Sequence, residues 1–255
     1  MKIKVLGCSG AEFPGHNTPG FLLDDEILLD AGSLTNVLDG NSQWKIRNIF
    51  ITHAHLDHIK GIPFLADNLI IRNQGHKVTI AGISSVIDTI KKNLLNGYLW
   101  PDFTILPDPK SGVLRFTRLR EGRPVSVNGY SVTPFKVNHS VPATGYLVED
   151  SARKTLFYTG DTGPTRSTWK KIGGRKINCL IIECSFPDKM GATAIATGHL
   201  TASLMKEEIS RIEEMPEKIY VTHTKPQYFK TIKTELSALK LKNLRLLRDG
   251  EVIRV

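Results

Sequence analysis

"ITHAHLDHIKG" (51–61) sets three histidines and an aspartate within six positions, His53 to His58, of a chain that has eight histidines in 255 residues. The stretch that leads into it, "IRNIFITH" (46–53), is largely apolar and reads as a strand buried on both faces. Such a strand delivers His53, His55, Asp57 and His58 at its carboxyl end. Alternation puts His53 and His55 on one side. A turn at Leu56 and Asp57 lets Asp57 and His58 face the same pocket from another direction. Imidazole and carboxylate are the ligands that hold a zinc-like ion while leaving a position open for water. Four such groups exceed what one catalytic ion takes from a single segment, so the spacing points to two ions, each completed elsewhere. Without metal, so many titratable groups would be costly to bury side by side.

Outward from this cluster, short strands rich in Val, Ile and Leu come first: "KIKVLGC", "GFLLDD" and "EILLDAG". After it, "IPFLADNLIIRNQ" (62–74) carries apolar residues at helical spacing, and "HKVTIAG" reads as a strand. "SSVIDTIKKNLLNGYLW" (84–100) reads as an amphipathic helix with a serine cap. A second run of strands follows, from "LRFTRL" through "PVSVNGYSVTPFKV" and "ATGYLVED" to "KTLFYTGD". Next come a helix at "STWKKIG", a buried strand at "INCLIIECS", a threonine-capped helix at "TASLMKEEISRIEE" and a strand at "KIYVTHT". "PQYFKTIKTELSALK" is a helix with proline at its start. "LRLLRDGEVIRV" (244–255) reads as a closing hairpin. Strands then helices, twice over, predict an α/β chain: two mixed β-sheets packed face to face with helices outside, a four-layer αββα sandwich. No composition shift or linker divides it, so residues 1–255 are expected to form a single domain.

An HxHxDH motif after an apolar strand resembles the signature of the metallo-β-lactamase superfamily, whose αββα fold agrees with this order. The resemblance extends through "KVNHSVPATGY" with His139, "LFYTGDTG" with Asp161 and "IYVTHTKP" with His223, all in the family's order. It implies a first ion on His53, His55 and His139, a second on Asp57, His58 and His223, and Asp161 shared by both. Zinc is the implied metal, with manganese and iron as alternatives. Asp30 in "LLDAG" resembles the aspartate that orients a ligand histidine from behind.

Two further motifs point to the phosphodiesterase branch. "GHLT" (198–201) carries His199 outside the metal set, and "LIIECSFP" (180–187) carries Glu183 after a buried strand. In that branch such a histidine assists the leaving oxygen and such a glutamate steers it. "GHLT", "HAHLDHIKG", "LWPDFTIL" and the stretch from "THTKPQYF" to the last residue are most similar to class II 3′,5′-cyclic-nucleotide phosphodiesterases and their bacterial relatives. One departure is that "GIPFLADN" stands where the family usually has a small or serine-proline pair. The resemblance implies a hydroxide held between two ions that opens a cyclic nucleotide to its 5′-monophosphate. Asp57, His199 and Glu183 are then the catalytic candidates. Lys225, two residues after a ligand histidine, suits a phosphate oxygen, and Thr201 follows His199. Tyr98 and Trp100, with Phe103 in "NGYLWPDF", and Phe186 are aromatic candidates for the base.

A net charge of +9 favours anionic partners. An RNA hydrolase of the tRNA 3′-processing type is therefore the alternative, although no long basic insertion offers a protruding arm. A glyoxalase-type thioesterase would leave "GHLT" and "IIECS" unexplained, and a non-catalytic metal-binding module would leave the full ligand set without a purpose. Three cysteines, Cys8, Cys179 and Cys184, lack CxxC spacing and read as buried thiols. Neither an apolar signal core nor a bilayer-length run is present, which predicts a cytoplasmic protein without membrane contact. Dimers are common in the branch, so a homodimer is among the expected assemblies.

Overall fold

Alternating side chains on the strands sort the core into three apolar layers, and the layers define the architecture. The computed structural model describes residues 1–72 and 75–255. The first sheet holds β1 (Lys2–Gly7), β2 (Gly20–Leu23), β3 (Ile27–Leu29), β4 (Asn48–Phe50), β5 (Val78–Ile83) and β6 (Leu114–Leu119). The second holds β7 (Val125–Val127), β8 (Tyr130–Lys136), β9 (Thr144–Glu149), β10 (Thr155–Tyr158), β11 (Cys179–Glu183), β12 (Lys218–Thr222) and β13 (Leu244–Leu246). The chain then returns to the first sheet as β14 (Val252–Arg254), beside β1. Each sheet has seven strands, in the orders β14-β1-β2-β3-β4-β5-β6 and β13-β12-β11-β10-β9-β8-β7. Both are mixed: β3 to β6 and β10 to β13 run parallel, and the remaining pairs are antiparallel.

The helices are α1 (Gly40–Gln43), α2 (Leu56–Ile59), α3 (Gly61–Arg72), α4 (Ser84–Asn93), α5 (Arg166–Ile172), α6 (Gly191–Thr197), α7 (Ala202–Ile209) and α8 (Phe229–Ala238). Phe21 and Leu23 of β2 join the layer between the sheets, whereas Leu22 joins the layer under α3 and α4. On β11, Cys179 and Ile181 join the central layer and Leu180 and Ile182 pack with α5, α7 and α8. This is the two-residue period of a strand covered on both faces. Phe21 meets Tyr158 across the sheets with ring centroids 4.9 Å apart, and Phe50 meets Tyr146 at 5.5 Å. Each buried aromatic of this kind contributes about 1.5–3 kcal/mol through burial. Helix α3 presents Ile62, Leu65, Ala66 and Leu69 to its layer, the i, i+3, i+4, i+7 stripe of an amphipathic helix.

The αββα expectation holds, with local corrections. The closing hairpin does not form: β13 pairs parallel with β12 while β14 pairs antiparallel with β1, so "LRDGE" crosses from one sheet to the other. Helix α4 stops at Asn93, short of Trp100, because Gly97 adopts φ +80° and the Asn96 carboxamide oxygen accepts from the amides of Tyr98 and Leu99. Ser84 starts that helix rather than capping it; Ile83 holds the cap position and gives no side-chain bond. Thr201 does cap α7, its hydroxyl accepting from the Leu204 amide at 3.4 Å, but the helix ends at Ile209. Of the helical stretch 62–74, Asn73 and Gln74 lie outside the described residues. All three cysteines are free and buried. Among the described residues no helix is long and apolar enough to cross a membrane.

Candidate metal centre and active site

Strands β4, β10, β11 and β12 release their chemistry-bearing residues at their carboxyl ends: the histidine motif after Phe50, Asp161 after Tyr158, Glu183 as the last residue of β11, and His223 after Thr222. His139 follows β8. Past β4, His55 occupies the N-cap position of α2, which puts Asp57 and His58 in that helix's first turn. The predicted turn at Leu56 and Asp57 is thus a helical one. It is held by the loop after β3, where the Ala31 amide donates to the His58 carbonyl at 2.7 Å. Gly32 is required there, because a Cβ on it would come within 1.9 Å of the Asp57 carbonyl oxygen. Gly32→Ala should therefore shift the motif. We expect a loss of about 1–3 kcal/mol of stability, as overpacking usually costs, read by urea unfolding together with reduced metal content by mass spectrometry.

The motif and its distant partners converge. His53 Nε2 lies 3.0 Å from His55 Nδ1, which lies 3.2 Å from His139 Nε2. Asp161 Oδ2 is 3.7 Å from His53 Nε2 and 4.0 Å from His139 Nε2. On the other side, His58 Nε2 is 3.6 Å from Asp57 Oδ2 and 3.5 Å from Asp161 Oδ1. His223 Nε2 is 3.4 Å from Asp57 Oδ2 and 3.2 Å from Asp161 Oδ2. Donors bound to one tetrahedral ion at about 2.0–2.1 Å stand about 3.3 Å from one another. Two donor sets joined at Asp161 therefore have the spacing that two ions would need.

The chemistry of the set agrees. His58 Nε2 is buried with no hydrogen-bond partner among the described residues, an orphan that a cation would satisfy. Burial pushes His53 well below the ordinary imidazole range, with neighbouring His58 adding to it. Burial also lowers His55 and His139. These shifts favour the neutral rings, which offer lone pairs. Burial alone would raise Asp161, yet His223 and His58 hold it well below the usual carboxylate range. Burial opposes charge on His58, but Asp161 and Asp30 raise it well above the normal value, so the carboxylates call for a positive charge at that point. The donor set fits divalent ions.

Behind the donors, a second layer of bonds sets the tautomers. His58 Nδ1 donates to Asp30 Oδ2 at 2.8 Å, and His139 Nδ1 donates to the Gly198 carbonyl at 2.8 Å. His53 Nδ1 meets the Thr52 hydroxyl at 3.0 Å, and that hydroxyl donates to Asp30. His223 Nδ1 meets the Ser185 hydroxyl at 2.9 Å. These four rings therefore aim Nε2 inward, whereas His55 uses Nδ1.

His199 flanks this cluster. Its ring stacks on His223 with centroids 5.4 Å apart and planes at 14°, and its Nδ1 bonds Glu183 Oε1 at 2.7 Å. Burial would lower His199, but the Glu183 carboxylate outweighs it and raises the pKa. Glu183 is fully buried and fully partnered: it also accepts from the Thr162 amide, the Leu200 amide and the Ser185 hydroxyl. Lys225 donates to the Gly10 carbonyl at 3.1 Å and lies 5.4 Å over the Phe186 ring, whose centroid is 5.7 Å from His199. Thr201 is taken up by its cap. Of the remaining aromatics, Tyr98 is 98% exposed, Trp100 packs edge-on against Phe64, and Phe103 is buried in the layer under α3 and α4. Sequence reasoning passed over Thr52, Ser185, Gly32 and Gly10, whose Cβ would clash with His223. Their only signal was adjacency to the motifs.

Fold and donor set together define a metal-dependent hydrolase of the metallo-β-lactamase fold. Unliganded yeast PDE1 superposes with a TM-score of 0.85 at 20% identity over 98% of each chain. The metallo-β-lactamase fold protein YhfI from Bacillus subtilis gives 0.79 at 20% identity over 99% of each. In sequence, the chain is 31% identical over 217 residues to the ribonuclease Z of Pyrococcus abyssi, covering 78% of this chain and 67% of that one. It is 28% identical over 255 residues to a 3′,5′-cyclic-nucleotide phosphodiesterase of Aliivibrio fischeri, covering 83% and 75%. Residues 38–245 match the family of class-II cAMP phosphodiesterases. The chain belongs to that family and is a metal-dependent phosphodiester hydrolase.

Proposed function

We propose that the protein hydrolyses a 3′,5′-cyclic nucleotide to the 5′-monophosphate. The observation that carries this reading is the His199–Glu183 pair at the rim of the donor cluster, in a chain of this family. His53, His55 and His139 would hold one divalent ion and Asp57, His58 and His223 a second, with Asp161 available to both. Zinc is the expected metal, with manganese or iron as substitutes. Such ions, when bound, supply activated water and neutralise charge on the phosphoryl oxygens. The reaction adds water oxygen to phosphorus and breaks the bond from phosphorus to the 3′-oxygen. His199 delivers a proton to that departing oxygen from Nε2, because Nδ1 is committed to Glu183. Glu183 keeps the ring oriented. Lys225 is the candidate partner for a phosphate oxygen, and Phe186, whose ring lies 5.4 Å below its ammonium, is the candidate wall beside it.

A second reading has its own support. The ribonuclease Z of Pyrococcus abyssi is 31% identical to this chain, and a net charge of +9 suits an RNA backbone. In either case residues 1–255 work as one domain. The cytoplasm, where reduced thiols persist, is the proposed setting, and a homodimer is the assembly to look for. The test is a screen of metal-loaded protein against cyclic AMP, cyclic GMP, 2′,3′-cyclic nucleotides, cyclic dinucleotides and a pre-tRNA transcript. Turnover of a 3′,5′-cyclic mononucleotide with two equivalents of metal per chain is expected. Cleavage of the transcript alone would replace the first reading by the second.

A further inference from the structure

A recess of about 120 Å³ opens beside the donor cluster. Ala54, Val86, Val141 and Pro142 form its apolar walls. Its polar groups are the His55 ring and the hydroxyls of Ser85 and Thr89, one turn apart on α4. His55 belongs to both places, since its Nδ1 lies 3.0 Å from His53 Nε2. A group seated in the recess is therefore one side chain away from the donor cluster.

The lining selects what can sit there. None of the lining side chains is a lysine, arginine, aspartate or glutamate, so the recess offers nothing to a second phosphate and suits an uncharged group. A cavity of about 150 Å³ lined by apolar side chains holds benzene, so the space here matches one six-membered ring. The Thr89 hydroxyl donates to the Ser85 carbonyl at 2.8 Å and keeps acceptor capacity. The Ser85 hydroxyl has no bond among the described residues and can donate or accept. We infer that this recess receives the six-membered ring of the substrate's nucleobase, with Ser85 meeting its polar edge. The inference rests on the nucleotide phosphodiesterase reading. It also separates the base from Tyr98, which lies in the turn beyond the carboxyl end of α4 at Asn93 and does not line the recess.

Two ligands that differ by the base alone provide the test. Calorimetry on metal-loaded protein should show 5′-AMP binding about tenfold or more tighter than ribose 5-phosphate. Thr89→Phe fills the recess from an exposed helix position. It should bring 5′-AMP to the affinity of ribose 5-phosphate while leaving ribose 5-phosphate, metal content and the thermal midpoint unchanged. Ser85→Ala should change the affinity ratio of 5′-AMP to 5′-GMP by about threefold or more, a smaller effect than filling the space. Three results would overturn the proposal: no advantage of 5′-AMP in the unaltered protein, equal weakening of both ligands by Thr89→Phe, or loss of the advantage in Tyr98→Ala instead. Absence of cyclic-nucleotide turnover with the base advantage intact would count against the reaction and not against the recess.

Discussion

Replacing His199 with alanine is expected to leave the metal content unchanged and to lower kcat by about 10²–10⁴-fold, the usual cost of losing a positioned acid. The expectation follows from how the ring is held. Glu183 is fully buried, and its two oxygens are occupied by His199, two backbone amides and the Ser185 hydroxyl, so the carboxylate cannot swing away from the imidazole. The imidazole in turn lies flat against His223. With Nδ1 fixed, only Nε2 can pass a proton to a leaving oxygen. A group that acts mainly on the leaving oxygen lowers kcat and kcat/KM together and leaves KM nearly unchanged. Glu183→Gln should fall between the unaltered enzyme and the alanine variant, because an amide still positions the ring but no longer raises its pKa. Metal content decides the competing interpretation: Asp161, His199 and His223 also have donor atoms within 4.8 Å of one another. If His199→Ala lost metal along with activity, His199 would be a ligand. If it kept full turnover, the acid would have to be sought elsewhere.

The donor residues were legible in the sequence because metal binding constrains residue type strongly. His53, His55, Asp57 and His58 stand together in one segment, and His139, Asp161 and His223 each follow a readable strand in the order the superfamily resemblance supplies. The groups behind them were not legible. Thr52 and Ser185 act through hydroxyls that differ in no local way from other hydroxyls in the chain; only the fold brings Ser185 to both His223 and Glu183. Gly32 is informative only once the Asp57 carbonyl is known to press against it. The layers were readable from alternation because strands such as β2 and β11 bury both faces. Alternation does not say which sheet a strand enters. "LRLLRDGEVIRV" has the turn residues and spacing of a hairpin, yet its halves find partners in different sheets. The Asp249 side chain shows what the crossing achieves. It accepts from the amides of Cys8 and Asn17 and so anchors the loop after β1, next to Gly10 and His223. The aromatics divide: a stripe of this kind is more often core, and Phe103 is, but Tyr98 is not. Spacing in "NGYLWPDF" could not reveal that Phe103 enters the core while Tyr98 points to solvent.

Asp30→Ala is expected to have the largest effect on stability and a separate effect on metal affinity. Asp30 has no exposed surface and accepts four hydrogen bonds: from the Thr52 amide at 2.8 Å, the Thr52 hydroxyl at 2.8 Å, His58 Nδ1 at 2.8 Å and the Tyr158 hydroxyl at 2.7 Å. Alanine would strand these donors in the interior. An unsatisfied buried donor costs about 1–3 kcal/mol. The costs are not additive, and breaking a buried charged network typically comes to about 3–5 kcal/mol, a large share of the roughly 5–15 kcal/mol that holds a typical domain. Released from the carboxylate, the His58 ring loses the bond that points Nε2 at the centre, and such losses lower metal affinity about 10–100-fold. Asp30→Asn separates the two effects. Asp30 adopts φ +57°, a left-handed conformation that asparagine tolerates, so the backbone need not move. The amide keeps one acceptor but sets an NH₂ group against donors. Asp30→Asn should therefore bind metal more weakly while losing less stability than the alanine variant. Urea unfolding with and without saturating zinc measures both quantities. A loss below about 1 kcal/mol in Asp30→Ala, with unchanged zinc affinity, would mean that His58 is held by the packing around it and not by this carboxylate.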